Sequence, residues 1–163
     1  SYGWLSKKHP DPTGFHLRTV KKYLRKHKDT FPGTDFGVFW DFASLPQDHP
    51  DGTGKTDAEK EVMKKGLGAI NLLYGDEKTM VIQLTRMPEE LQVAEANLTP
   101  YDVRGWCFFE ATVSSVLKDN FKLLDLGVGA AVLDDEGSDW DAVRRASTAR
   151  RQPPLTPPDM EIE

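Results

Sequence analysis

Glu110, in the stretch RGWCFFE (residues 104–110), stands where a carboxylate is not expected. The segment RGWCFFEATVSSVLKD has helical spacing, and at about 100° per residue Trp106, Phe109, Val113, Val116 and Leu117 share one face. Glu110 falls inside that face, between Trp106 and Val113, while Phe108 points the other way. A charge in an apolar stripe must be paired, shift its pKa or line a pocket. Two readings follow. One is an ion pair with Arg104 that fixes the helix in place, the commoner outcome when such a group is taken alone. The other is a pocket wall whose negative charge serves a ligand.

The remaining reactive side chains give weaker patterns. GTGKT (52–56) invites a phosphate-loop reading, but that motif needs a glycine at position 49, where His49 stands. A solvent-exposed loop is the better reading. His9, His16, His27 and His49 show no ligand pairing at helical spacing and no cysteine pair exists, so no metal site is expected. Asp41, Asp48 and Asp51 cluster after an apolar run, more often a turn signature than a magnesium site. Ser44 lacks the glycine-flanked elbow of a hydrolytic nucleophile. RRAS (144–147) has the form of a basophilic kinase site at Ser147. Cys107, the single cysteine, has no partner for redox work, which makes packing its expected role and a reducing, cytoplasmic compartment the default.

Several elements must position these groups. FHLRTVKKYLRKH (15–27) reads as an amphipathic helix with Leu17, Val20 and Leu24 inward and a basic outer stripe. FGVFWDF (36–42) reads as a buried strand ending near Asp41. Thr56 and Glu59 have capping-box spacing and start a helix to about residue 74, with Met63, Leu67, Ile70 and Leu73 or Tyr74 inward. KTMVIQLT (78–85) is the clearest strand. Residues 86–102 form an acidic loop or short helix. Residues 121–127 supply a further strand, with 128–134 a second candidate. Ser138 and Asp141 are placed to cap a short helix. From Gln152 onward four prolines predict an extended tail. Alternating strands and helices predict an α/β fold, a parallel sheet with helices on both faces, and ligands beyond the carboxyl ends of the strands.

Composition sets the outer limits. The chain has 163 residues, 29% charged and 38% hydrophobic, with a net charge of −5. That suits one soluble domain and argues against a general nucleic-acid binder. No apolar run approaches the roughly 18 residues of a membrane span.

With the order of elements and WCFFE both in view, the chain resembles a TIR (Toll/interleukin-1 receptor) domain. Trp106, Cys107 and Glu110 match the Trp-Cys-x-x-Glu motif of enzymatic members. SYGW (1–4) is similar to the end of their first strand, and VFWDFASLP (38–46) to their second strand and the loop after it. Gly3 and Trp4 stand where a basic residue is common, and Gly105 where a serine is usual. The resemblance covers about residues 1–127 and implies a flavodoxin-like sheet in a domain of residues 1–134, with a first strand cut short at Ser1; by composition and capping, a short helix in 135–151 and a proline-rich tail over 152–163 follow it. It also implies cleavage of the nicotinamide–ribose bond of NAD+, a substrate rather than a cofactor. Glu110 would be the key carboxylate. Trp4 and Trp40 would stack on a ring, and Asp41 and Ser44 would hydrogen-bond ribose or phosphate oxygens. The rival expectation is an interaction or structural module, self-associating or part of a larger assembly. Phe108, the basic stripe and the tail would supply its contacts. A third is a nucleotide-binding sensor without turnover.

Overall fold

A computed structural model of the chain describes residues 1–49 and 51–154. Among these residues six α-helices and two short strands follow in the order α1 (Phe15–Thr30), α2 (Asp41–Ser44), α3 (Asp57–Gly75), β1 (Val81–Gln83), α4 (Gly105–Leu117), β2 (Leu123–Asp125), α5 (Ala130–Asp134) and α6 (Trp140–Ala146). A 3-10 turn at Tyr101–Val103 leads into α4. The architecture is α/β, with a small parallel sheet. β1 and β2 pair as Val81↔Leu123, Ile82↔Leu124 and Gln83↔Asp125. Single bridges widen the sheet, with Tyr2 parallel to Leu84 on one side and Thr148 antiparallel to Leu124 on the other.

Alternation along the strands divides the core between two faces. Leu84, Leu124 and Leu126 pack with Val20 and Tyr23 of α1, Leu133 of α5 and Val143 of α6. Val81 and Leu123 pack on the opposite side with Ile70 and Tyr74 of α3, and α4 lies against α3 there. The chain after residue 134 belongs to this same core: Val143 is fully buried and Ala149 donates its N–H to Leu123 O. Arg151 then grips the end of α4, donating to Lys118 O at 2.7 Å and to Ser115 O. The tail expected over 152–163 lies largely outside the described residues. Among the described residues, no helix is long and apolar enough to cross a membrane.

Local chemistry explains the helix starts. Thr56 Oγ1 accepts from Glu59 N at 3.3 Å while Glu59 Oε2 accepts from Thr56 N at 2.8 Å, a complete capping box for α3. α1 starts after Gly14 at φ 70°, a left-handed conformation that costs glycine little. Its inward residues are His16, Val20 and Tyr23; Leu17, expected inside, is exposed. On α3, Ile70 and Tyr74 turn inward and Leu67 does not.

Several expectations are corrected. FGVFWDF is not a buried strand: residues 31–40 are irregular, Phe36, Val38 and Phe39 are exposed, and Asp41 opens a helical turn. Trp40 O accepts from Ala43 N and Ser44 N, and Asp41 Oδ1 from Phe42 N, so local bonds satisfy the backbone there instead of a ladder. Residues 128–134 are not a strand either. Asp125 Oδ1 accepts from Gly127 N and Val128 N, turning the chain straight after β2, and the alanine-rich stretch becomes α5. The cap of α6 is Asp139, which accepts from Ala142 N, while Ser138 donates to Asp135. Ser147 is fully buried, so the folded chain does not offer RRAS to a kinase.

α4 is the largest departure. Its buried face is Cys107, Glu110, Ala111, Ser114 and Ser115, whereas Trp106, Phe109, Val116 and Leu117 are exposed. Small side chains let α4 lie close to its neighbours, and the greasy stripe is left on the outer side. Phe108, expected to be the exposed contact, is half-buried.

Candidate functional site

The start of α4 is set by Arg104, the residue before the helix. Its guanidinium donates to three carbonyls, Trp4 O at 2.7 Å, Thr99 O at 2.8 Å and Asn97 O at 3.0 Å. It can lie there because residue 3 is glycine: a Cβ at Gly3 would stand 2.7 Å from the guanidinium carbon. The first residues, the loop before α4 and the helix start are thereby tied to one side chain. Tyr101 adds a second tie, its hydroxyl 2.6 Å from Ser1 Oγ.

This arrangement overturns the ion pair expected between Arg104 and Glu110. All three bonding nitrogens of Arg104 are directed at backbone carbonyls, and among the described residues no cation forms a salt bridge with Glu110. Glu110 is nonetheless only 5% exposed. Its charge is felt nearby. The Cys107 thiol is pushed up to about 11, first by burial and then by Glu110. The Tyr74 hydroxyl is raised well above its ordinary value by the same two causes, in the same order. Cys107 itself packs with Tyr101 and Ala111.

Glu110 lines a cavity of about 1070 Å³ that also meets Trp4, Trp40, Asp41, Trp106 and Cys107. The cavity runs along the Ser1–Trp4 side of the sheet, between α1 and α3, beneath residues 35–41. Trp40 stands edge-on to the Tyr2 ring at 5.1 Å. Asp41 Oδ1 accepts from the Tyr2 hydroxyl at 2.7 Å, and the Tyr2 phenol is raised by burial first and by that bond next. Trp4 meets Phe42 edge-on at 5.9 Å. Trp106 lies at the rim, 55% exposed, its ring 5.5 Å from Phe109.

Ser44 and Phe108 are not among the residues of this wall. Ser44 Oγ accepts from Trp40 N at 3.0 Å, closing the α2 turn. The three aspartates considered for a cation go to separate partners: Asp41 to Tyr2, Asp48 to Lys55 and Asp51 to Thr53. No group of three or more His, Cys, Asp or Glu among the described residues is placed to hold a metal. Sequence reasoning missed Tyr2 and Arg104 as the organisers of the site. Their sequence signal is slight, since both act by reaching across the fold. Tyr74, already noted as an inward candidate on α3, joins the wall.

Chemically, the site offers a carboxylate without a salt bridge among the described residues on an aromatic wall, with Asp41 a second acid and the Ser1 ammonium near enough to interact with both. Such a wall favours a flat cationic group, or a positive charge developing during a reaction. Comparison with protein-family models, with curated proteins and with solved structures finds no match to this chain.

Proposed function

We propose that the chain is a TIR-like, flavodoxin-like domain that hydrolyses the nicotinamide–ribose bond of NAD+, with Glu110 as the key carboxylate. One observation carries the reading: Glu110 is buried, without a salt bridge among the described residues, on the wall of a cavity that also holds three tryptophans. Nicotinamide leaves a cationic substrate as a neutral molecule, so no acid is needed to protonate it. The bond electrons go to the ring nitrogen, the ribose becomes oxocarbenium-like, and water adds to its anomeric carbon with release of one proton. A fixed negative charge beside that ribose stabilises the transition state more than the ground state. Trp4 and Trp40 would stack on the rings and Asp41 would meet ribose hydroxyls. Ser44, next to that wall in sequence but not part of it, would reach ribose or phosphate oxygens only from outside the cavity. A reducing, cytoplasmic setting fits the single buried thiol.

The test is nicotinamide release from NAD+ by the chain and by Glu110→Ala, over a range of protein concentrations. Loss of one such electrostatic group costs about 10²–10³ in rate. A drop of that size in a variant that unfolds at the wild-type urea midpoint supports the reading. Equal turnover by both proteins refutes the role of Glu110. Saturable NAD+ binding without product would favour the sensor.

A second reading, an interaction module, draws on the exposed Trp106, Phe109, Val116 and Leu117 of α4. An apolar stripe facing water is a contact surface in search of a partner, a second copy or a larger assembly. Under that reading Glu110→Ala leaves assembly intact, while Phe109→Asp disrupts it.

A further inference from the structure

Hydrolysis leaves one proton to be placed. Water that adds to the anomeric carbon must lose it, and nicotinamide, which leaves as a neutral ring, does not take it. The carboxylates and imidazoles on the cavity wall are Glu110, Asp41, Asp35 and His27. Two of these are at the wrong end. His27 sits in the last turns of α1, packed by the Phe31 and Phe36 rings at 5.1 Å, and Asp35 adjoins Phe36. Glu110 belongs with the first turn of α1, where His16 meets Gly3 O at 3.2 Å and Arg104 ties Trp4 to the start of α4. Asp41 is held at this same end, its Oδ1 accepting from the hydroxyl of Tyr2, whose ring lies 5.6 Å from His16. The two carboxylates come from different sides. Tyr2 and Trp40 pack on the sheet face that carries α1, whereas α4 lies with α3 on the opposite face.

We propose that Asp41 is a catalytic residue, the base that takes the proton of the attacking water, an assignment that rests on the NAD+ reading above. Its Oδ1 is taken by the Tyr2 hydroxyl and Phe42 N, both at 2.7 Å, which fixes the carboxylate and leaves Oδ2 without a partner among the described residues. The Ser1 ammonium interacts with Glu110 and Asp41 alike, so both border the same stretch of the cavity. In the step, the water oxygen bonds to the anomeric carbon and Asp41 Oδ2 accepts the water proton. The electrons of the broken bond stay on the nicotinamide nitrogen, and the proton passes afterwards to bulk solvent. Glu110 keeps its charge throughout. Two carboxylates reaching the reacting carbon from different sides, one of them activating a water, is the division of labour of inverting glycosidases.

Partition of the cleaved substrate, measured on the full chain, tests this. 3-Acetylpyridine added in excess competes with water for the same ribosyl cation, and it brings no proton to remove. The ratio of hydrolysis to base exchange therefore separates proton transfer from any loss of binding. General-base help is worth about 10²–10⁴ in rate, and attack on a cation needs less of it, so Asp41→Asn should lower the ratio at least about tenfold. A smaller change overturns the proposal. So does an equal fall of both products, the mark of a lost ribose contact. If Asp41→Asn does not fold, the wild-type ratio in heavy water decides: it should fall, and an unchanged ratio overturns the assignment. A wild-type chain that releases no nicotinamide refutes the NAD+ reading and this assignment with it, whereas turnover with an unchanged ratio in the variant refutes Asp41 alone.

Discussion

Gly3 and Arg104 should behave as one unit. The Arg104 guanidinium makes two part-buried bonds and one exposed bond to carbonyls. Taking about 1.5–2 kcal/mol for each part-buried charged bond and about 1 for the exposed one gives about 4–5 kcal/mol. Ordering an arginine side chain costs about 2 kcal/mol against that. Arg104→Ala is then expected to lower stability by about 2–3 kcal/mol, a shift of roughly 5–10 °C in Tm for a chain of this size. In Gly3→Ala the new methyl would stand 2.7 Å from Cζ and Nε of Arg104 and 2.9 Å from Nη1. A free guanidinium would step aside, but this one is held at three points, so the methyl displaces it and forfeits those bonds. Gly3→Ala should therefore cost about 1–3 kcal/mol on its own. With Arg104 already removed, the methyl meets little and should cost less than about 0.5 kcal/mol. Urea unfolding of the wild type, both single variants and the double variant measures the coupling, expected at 1 kcal/mol or more with unchanged m-values. Additive losses, or an Arg104→Ala chain within about 0.5 kcal/mol of wild type, would refute the reasoning.

Three further outcomes follow from side chains placed across the fold. Burial holds the His16 imidazole below its ordinary value of 6.5, and Gly3 O accepts its Nε2 hydrogen at 3.2 Å. The unfolded chain takes up the second ring proton first, so stability present at neutral pH should fall as pH drops below about 6.5. His16→Gln should flatten that part of the profile, and a profile of the same slope in the variant would count against the assignment. Lys118 Nζ donates to Asp76 O and to Leu73 O at 3.4 Å, joining α4 to the end of α3. Lys118→Met should lower the free energy of unfolding by about 1–3 kcal/mol, and an unchanged urea midpoint would show that water serves those carbonyls equally well. A basophilic kinase should label Ser147 in the urea-unfolded chain or an excised peptide at least tenfold faster than in the native protein, because the hydroxyl is buried. Equal labelling rates would mean that this edge opens readily.

Those elements that depend on neighbouring residues were legible in the sequence. The Thr56–Glu59 capping box placed the start of α3 within a residue, and the Val81–Gln83 strand lies inside the run assigned to it. Elements decided by distant partners were not. FGVFWDF has the composition of a strand, but composition does not say whether an edge is available for pairing. The α4 stripe was read correctly as a stripe and wrongly as the inside, because hydrophobicity ranks residues by transfer, not by how closely a helix can approach. Cys107, Ala111 and Ser114 allow a short approach that Trp106 and Phe109 do not. The choice between pocket and ion pair for Glu110 turned on where a long arginine side chain ends. It ends on carbonyls contributed by Trp4, Asn97 and Thr99, which no local pattern around residue 110 announces.

The flanks of the sheet come from opposite parts of the chain. Ser1 bonds Ile82 across 81 positions, while Thr148 lies against Leu124 on the far side. During synthesis the first segment therefore emerges long before the strand it will lie on. β1 in turn lacks its other parallel partner until β2 has left the ribosome. Loop closure over such distances is slow, and the early chain must hold its apolar residues without a ladder to receive them. The packed pair of α3 and α4 is more local, so assembly should begin on that side and spread outward, with the two flanks arriving last.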